Sequence, residues 1–270
     1  NLGIDLSLRV KLIRVRERES VLIMNLHHQA SDGASITVFS EELSLGYEAY
    51  SEGRAPTWND ASVRYSDWAA WQRQTLESEL SEKIQRAKSR LRDVPESLAL
   101  PLDRPRVSKR EHRAGYVDFH VDASIIRELE KLAIRHSTTL YTIILTIYGL
   151  TLSKIANQET VVIGSPVSGR NRVELERVVG FMVNTLAVPV RVSESWSIDA
   201  LIEQVKRAVE DALVDQDLPF ERLVEELSVV RSLSQTPIYQ ASLTFSIATE
   251  AQGNDGLLGP GFSLKGLEIK

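Results

Sequence analysis

No cysteine occurs in the 270 residues, which excludes disulfides, thiolate metal sites and a cysteine nucleophile. That absence fits a reducing compartment, and the cytoplasm is the expected location. Neither sign of charge dominates: 32 Lys and Arg stand against 37 Asp and Glu, a formal net charge of −5. Phosphate contacts need a clustered basic face, so nucleic acid is not an expected partner. Long apolar runs are missing too. The longest uncharged stretch, Ser137 to Ser153, is interrupted by Thr138, Thr139, Thr142, Thr146, Gly149 and Thr151, whose hydroxyls suit a protein interior better than lipid. A buried core helix is expected there, and no membrane association. No internal repeat or low-complexity tract occurs.

What is present is ordinary globular material. With 43% hydrophobic and 26% charged residues the chain can bury a sizeable core, and its length allows roughly two domains or one large one. It opens on Asn1-Leu2-Gly3-Ile4-Asp5, without Met or a basic leader, so it is expected to be a section of a longer chain.

Leu8, Val10 and Leu12 alternate with charged residues, and Val21 to Leu26 is apolar apart from Asn25, which predicts a strand pair. The second strand runs into His27-His28-Gln29-Ala30-Ser31-Asp32-Gly33. Ile36, Phe39, Leu43, Tyr47 and Tyr50 then recur at helical spacing, so this string sits at a strand-to-helix junction. A second helix carries Leu76, Leu80, Ile84, Ala87 and Leu91, with Pro95 beyond its end. The basic, proline-bearing stretch from Pro101 to Arg113 is the expected boundary between two subdomains, 1–107 and 108–270. Beyond it the pattern predicts a strand near Tyr116–His120, a helix opened by Asp122, the uncharged helix, and strands at Thr160–Gly164 and Asn184–Val192. A helix through Ile198 to Leu213, a short one at Pro219–Leu227 and a strand near Tyr239–Ile247 follow. Interleaved strands and helices argue an α/β fold, an α+β sandwich.

The chemistry concentrates in the histidine string. One histidine at a strand end is usually a satisfied packing residue, but an HHxxxDG string directly after an apolar strand reads as functional. Adjacent strand residues point to opposite faces, so His27 and His28 are expected to divide, one catalytic and one packed. Asp32 can fix the loop through an ion pair, and Gly33 is expected to supply a backbone conformation or close approach that a side chain would block. His-His-carboxylate also suits zinc or iron, yet a facial triad needs three converging ligands and neighbouring strand residues diverge. Gly164-Ser165-Pro166-Val167-Ser168-Gly169 is not a GxSxG nucleophile elbow, and no GxxxxGK[ST] phosphate loop occurs.

The order of several further segments carries a resemblance. His27-His28-Gln29-Ala30-Ser31-Asp32-Gly33 matches HHxxxDG, Tyr65-Ser66-Asp67-Trp68-Ala69-Ala70-Trp71-Gln72 matches YxD(Y/F)AxWQ, and Asp103-Arg104-Pro105-Arg106 matches DRPR. Val179-Gly180-Phe181-Met182-Val183-Asn184-Thr185 resembles VGxFVNT, and Gln216-Asp217-Leu218-Pro219-Phe220-Glu221 matches QDxPFE. Arg231-Ser232-Leu233-Ser234-Gln235-Thr236-Pro237 is a looser RDxSRNP. Together these segments resemble the condensation domain of non-ribosomal peptide synthetases, in the acyltransferase superfamily that is similar to chloramphenicol acetyltransferase. The match spans nearly the whole chain but somewhat over half of a full member, beginning after the family's first two motifs and stopping before its last strands. Ala34, Met182, Asp215, Ser232 and Thr236 depart from the family pattern.

The resemblance implies two similar subdomains with a cleft or tunnel between them. Residues 1–107 would be the later part of the N-terminal one, with HHxxxDG, and 108–270 most of the C-terminal one. It implies amide formation between a donor acyl or peptidyl thioester and an acceptor aminoacyl thioester, both on phosphopantetheine arms. Upstream and downstream peptidyl carrier domains and a neighbouring adenylation domain are the implied partners, and no cofactor or metal is expected to be held by the domain itself. His28 is the implied base or positioning group. His27, Asp32 and Gly33 take scaffold roles, with Arg170 the expected ion-pair partner of Asp32, and Asn184, Thr185 and Gln216 line the substrate tunnel. An imidazole near its ordinary pKa of about 6.5 suits removal of a proton from an amine nucleophile.

Other readings have less support. A free-standing coenzyme A-dependent acyltransferase of the plant type would carry a DFGWG segment, which is missing here. An epimerisation domain shows a different pattern after the aspartate, and a heterocyclisation domain has Asp in place of the first histidine. A non-catalytic condensation-like domain that recruits other proteins has no need of the intact histidine pair.

Overall fold

The computed structural model describes residues 4–17, 19–58, 63–104, 106, 114–227 and 234–246. The chain divides into two compact units. The first comprises residues 1–74, 168–183 and 246–270, and the second residues 75–167 and 184–245. The boundary expected between 107 and 108 lies outside the described residues. The division is not linear along the chain, because the segment 168–183 belongs with the first 74 residues.

In the first unit, β1 (Leu8–Arg16) and β2 (Glu19–Leu26) form an antiparallel hairpin in which Leu8 faces Leu26 and Ile13 faces Val21. A 3-10 turn at His28–Ala30 then intervenes before α1 (Gly33–Ser51), so the histidine string sits at a strand-to-helix junction, as its sequence suggests. The helical stripe that reveals α1 is largely exposed at Ile36, Tyr47 and Tyr50, and the buried face is built from Ser35, Val38, Ser40, Gly46 and Ala49. The long helix α2 (Tyr65–Arg90) opens in this unit, where Trp68 packs with Leu175, Val178 and Met182.

The second unit is built on a three-stranded sheet. β3 (Thr160–Val167) pairs antiparallel with β4 (Asn184–Arg191) and parallel with the two-residue β5 (Ala241–Ser242), in the order β4-β3-β5. Strand alternation divides its side chains between two cores. Val161, Ile163, Leu186, Val188 and Val190 pack with Leu145 and Leu152 of α4 (Leu140–Ala156) and with Leu201, Val205 and Ala208 of α5 (Ile198–Val214). Val162 and Ala187 instead pack with Ile84 and Ala87 of α2 and with Leu223 and Val224 of α6 (Phe220–Glu226). Helix α3 (Ala123–Arg135) joins through Ala133 against Ile143 and Ile202. The uncharged stretch is therefore a core helix: Thr142, Ile143, Leu145, Thr146, Gly149 and Leu152 of α4 are all buried. No single helix among the described residues is long and apolar enough to cross a membrane.

Two expected strands are corrected. Residues 116–120 form no ladder, and Tyr116 and Phe119 are 91% and 81% exposed. Their composition favours a strand, but a strand exists only where a neighbour takes its backbone hydrogen bonds, and no described strand does so. Of the closing strand expected over 239–247, whose last residue lies outside the described ones, a ladder forms among the described residues only at Ala241–Ser242.

Candidate active site

The histidine string folds around its own backbone. Leu26 ends β2, and the N–H of His27 donates to the Ser7 carbonyl at 2.8 Å. His27 then caps the 3-10 turn, its Nδ1 accepting from the Gln29 N–H at 3.1 Å. His28 Nδ1 lies 2.7 Å from the Ser31 carbonyl oxygen. A carbonyl can only accept, so Nδ1 carries the proton in the neutral ring and Nε2 keeps its lone pair. Both histidines are exposed, against the expectation that one of them is packed. The strand has already ended at Leu26, so its alternation does not reach them.

Asp32 is the N-cap of α1 and is held from four directions. Its Oδ1 accepts from the backbone N–H of Ser35 at 3.0 Å and from the Ser35 hydroxyl at 2.9 Å. The Ser35 oxygen accepts in return from the Asp32 N–H, closing a capping box. Oδ2 accepts from Met182 N–H at 3.1 Å and from Arg170 Nη1 at 2.6 Å. The side chains of this ion pair are 0% and 5% exposed for Asp32 and Arg170. Burial alone would raise the Asp32 carboxyl. The Arg170 guanidinium and the N–H groups of Met182 and Ser35 outweigh it and hold the group below the usual carboxylate range.

Arg170 reaches Asp32 because of the residue before it. Gly169 has φ of +68°, and a Cβ there would lie 2.1 Å from the Met182 carbonyl oxygen. Arg170 Nη2 also donates to the carbonyls of Val178 (3.0 Å) and Gly180 (3.3 Å). Gly33 behaves differently from its expected role. It is the first residue of α1, has no positive φ, and an added Cβ would meet nothing within 4 Å among the described residues. Neither a special backbone conformation nor a close approach requires glycine here; the position leaves open space.

Three side chains that motif reading gave no role complete this cluster. Ser35 is fully buried, and its oxygen accepts from the Gly180 N–H at 3.1 Å; the Gly180 carbonyl, also 3.1 Å away, competes with Asp32 Oδ1 for the single hydroxyl hydrogen. Burial, and then the Asp32 charge, push the Tyr65 phenol up, so it stays protonated and donates to the Phe181 carbonyl at 2.9 Å. The Phe181 ring stands edge-on to the His28 imidazole, with centroids 5.1 Å apart and an interplanar angle of 89°. The signal for Ser35 was its place three residues after an N-cap aspartate. Phe181 fills the unspecified position of VGxFVNT, so matching that motif could not find it. Trp71, which shares α2 with Trp68, lies beneath the Arg172 guanidinium at 4.6 Å.

Asn184, Thr185 and Gln216 belong to the second unit. Asn184 opens β4, and its amide Nδ2 donates to the carbonyls of Gln216 (2.8 Å) and Leu218 (2.7 Å), while Oδ1 accepts from Phe220 N–H at 3.0 Å. Its side chain is thus bound to the backbone of the turn that carries Gln216. Thr185 stands opposite Pro166 in the sheet. The flanks of Gln216 are tied to α2: Lys83 Nζ contacts Asp217 Oδ2 at 2.6 Å, and Arg86 Nη2 contacts the buried Asp215 Oδ1 at 2.6 Å.

Residues 1–257 match the model of the Condensation domain family. The chain belongs to that family. It is 38% identical over 234 residues to a linear gramicidin synthase polypeptide of Brevibacillus parabrevis, covering 86% of this chain and 4% of that protein. It is 36% identical over 253 residues to phosphinothricin tripeptide synthetase PhsB of Streptomyces viridochromogenes, covering 94% of this chain and 21% of that protein. Among solved structures, the X-domain from teicoplanin biosynthesis superposes with a TM-score of 0.82 at 26% identity, over 90% of this chain and 55% of that one. The same X-domain is known in complex with OxyB. The mixed helix and sheet architecture is thus the condensation-domain fold, and the chain spans only a small part of the synthetase relatives it matches.

Proposed function

We propose that this condensation domain forms an amide bond between a donor acyl or peptidyl thioester and an acceptor aminoacyl thioester in non-ribosomal peptide synthesis. The observation that carries this reading is the His28 ring, with Nδ1–H donated to the Ser31 carbonyl and Nε2 left basic on an exposed turn. The acceptor amine attacks the thioester carbonyl carbon, a C–N bond forms and the C–S bond breaks. His28 Nε2 takes the proton the amine loses and returns it to the departing thiolate. The Asp32–Arg170 pair and the Ser35 box hold the turn that presents this ring. Both acyl groups arrive on phosphopantetheine arms of peptidyl carrier domains, with an adenylation domain as neighbour, and the domain holds no cofactor or metal of its own. The similarity to long synthetase polypeptides supports carrier-borne rather than free coenzyme A-borne substrates.

The test uses the full-length synthetase chain with its donor and acceptor carriers loaded, read by intact-protein mass spectrometry. Transfer of the donor mass to the acceptor carrier is expected in wild type and reduced by roughly 10²- to 10⁴-fold in His28→Ala, the usual range for loss of a general base. A second reading, a recruitment domain, is favoured by the likeness to an X-domain that binds OxyB. Absence of transfer in wild type, with both carriers loaded, would select it.

A further inference from the structure

We infer that Phe181 is a positioning residue for the His28 imidazole, an inference that rests on the amide-forming role proposed for His28. A single hydrogen bond, Nδ1 to the Ser31 carbonyl at 2.7 Å, fixes one point of the ring but not its plane. The Phe181 ring supplies the second restraint, at 5.1 Å and an interplanar angle of 89°, a geometry that aromatic pairs favour. Together the two restraints set where Nε2 points.

Phe181 can do this because its backbone is held along three consecutive residues. The Gly180 N–H donates to the Ser35 oxygen, and the Gly180 carbonyl accepts from Arg170 Nη2. The Phe181 carbonyl accepts from the Tyr65 hydroxyl at 2.9 Å, and Met182 N–H donates to Asp32 Oδ2 at 3.1 Å. Tyr65 also closes over Gly180, where a Cβ would fall 2.0 Å from its Cδ2. Asp32 therefore starts the helix that follows the histidine turn and also anchors the segment that carries Phe181. The buried ion pair couples both ends of the His28–Phe181 contact.

The experiment compares wild type, Phe181→Leu and Phe181→Tyr in the full-length synthetase chain. Two readouts are taken: single-turnover transfer between loaded carriers, and deuterium exchange at the His28 Cε1 hydrogen, resolved from His27 by peptide fragmentation. The exchange readout needs no activity. Phe181→Leu is expected to lower the transfer rate about 10- to 100-fold, the scale of a small misplacement of a reacting group, with little change in saturation by carrier. It is also expected to change the His28 exchange rate while leaving the melting temperature in place, and Phe181→Tyr is expected to restore both readouts. Slower transfer with unchanged His28 exchange would overturn the inference, because Phe181 would then act on substrate directly. So would no change in either readout. Altered His28 exchange with no transfer even by wild type would uphold the positioning contact and overturn the amide-forming reading instead.

Discussion

Arg170 and Asp32, 138 positions apart in the chain, meet at 2.6 Å as a pair that solvent scarcely touches. Removing one member leaves the other charge buried without its partner, which costs about 3–5 kcal/mol in comparable pairs. Asp32→Ala also uncaps α1. The variant is expected to lose stability by at least that much in denaturant titration, and to lose soluble yield. A variant that melts with wild type would show that the pair does not brace the first unit.

Acid should weaken the protein through the same carboxyl. The folded Asp32 is held below its ordinary value near 3.9, so its contribution is complete above that unfolded value and is lost as pH falls through the lowered folded value. In Arg170→Met the carboxyl loses the partner that opposes burial, and its folded pKa rises. The acid-unfolding midpoint is therefore expected at higher pH than in wild type, as followed by tryptophan fluorescence. Equal midpoints would contradict this account of the shift.

The two glycines near the pair should respond in opposite ways. Gly169→Ala forces a side chain into a φ of +68° and against the Met182 carbonyl, so it is expected to cost more than about 1 kcal/mol and to impair placement of Arg170. Gly33→Ala fills open space at the first turn of α1 and should leave the melting temperature equal or slightly higher. If it nevertheless slows transfer, the space in front of Gly33 is occupied by substrate.

Asn184→Ala removes three hydrogen bonds to the backbone of residues 216, 218 and 220 at once. Leaving such part-buried groups unsatisfied costs about 1–3 kcal/mol each where no water replaces the amide. Native-state hydrogen exchange is expected to rise first at Phe220, whose N–H loses its acceptor. Unchanged protection there, with altered transfer, would instead assign the Asn184 amide to substrate.

Periodicity found the elements that stabilise themselves through their own pattern. The hairpin from Leu8 to Leu26 and helices α4 and α5 follow from alternation or a 3.6-residue repeat. Tyr116–His120 carries a strand-like composition of the same kind, yet it forms no ladder, because a strand is a property of a pair. In α1 the repeat correctly indicated a helix but not its buried face, since Ser35, Ser40 and Gly46 are buried while Tyr47 and Tyr50 are exposed. Ser35 is held there by its hydrogen bonds to Asp32 and Gly180, and Gly46 lies under the Trp58 ring, 3.1 Å from where a Cβ would stand.

Motif order alone was enough to name the family and to single out His28 and Asp32, which stand in one segment of fixed local spacing; Arg170 lies in none of the matched segments and was expected only from what the resemblance implies. What Ser35, Tyr65 and Phe181 do was decided only by tertiary structure. Ser35 meets Gly180 across 145 positions and Tyr65 meets Phe181 across 116. The tautomer of His28 likewise came from a carbonyl that the folded turn brings to Nδ1. Local spacing encodes which side chains share a face, whereas a hydrogen bond of about 3 Å depends on the path of the whole intervening chain.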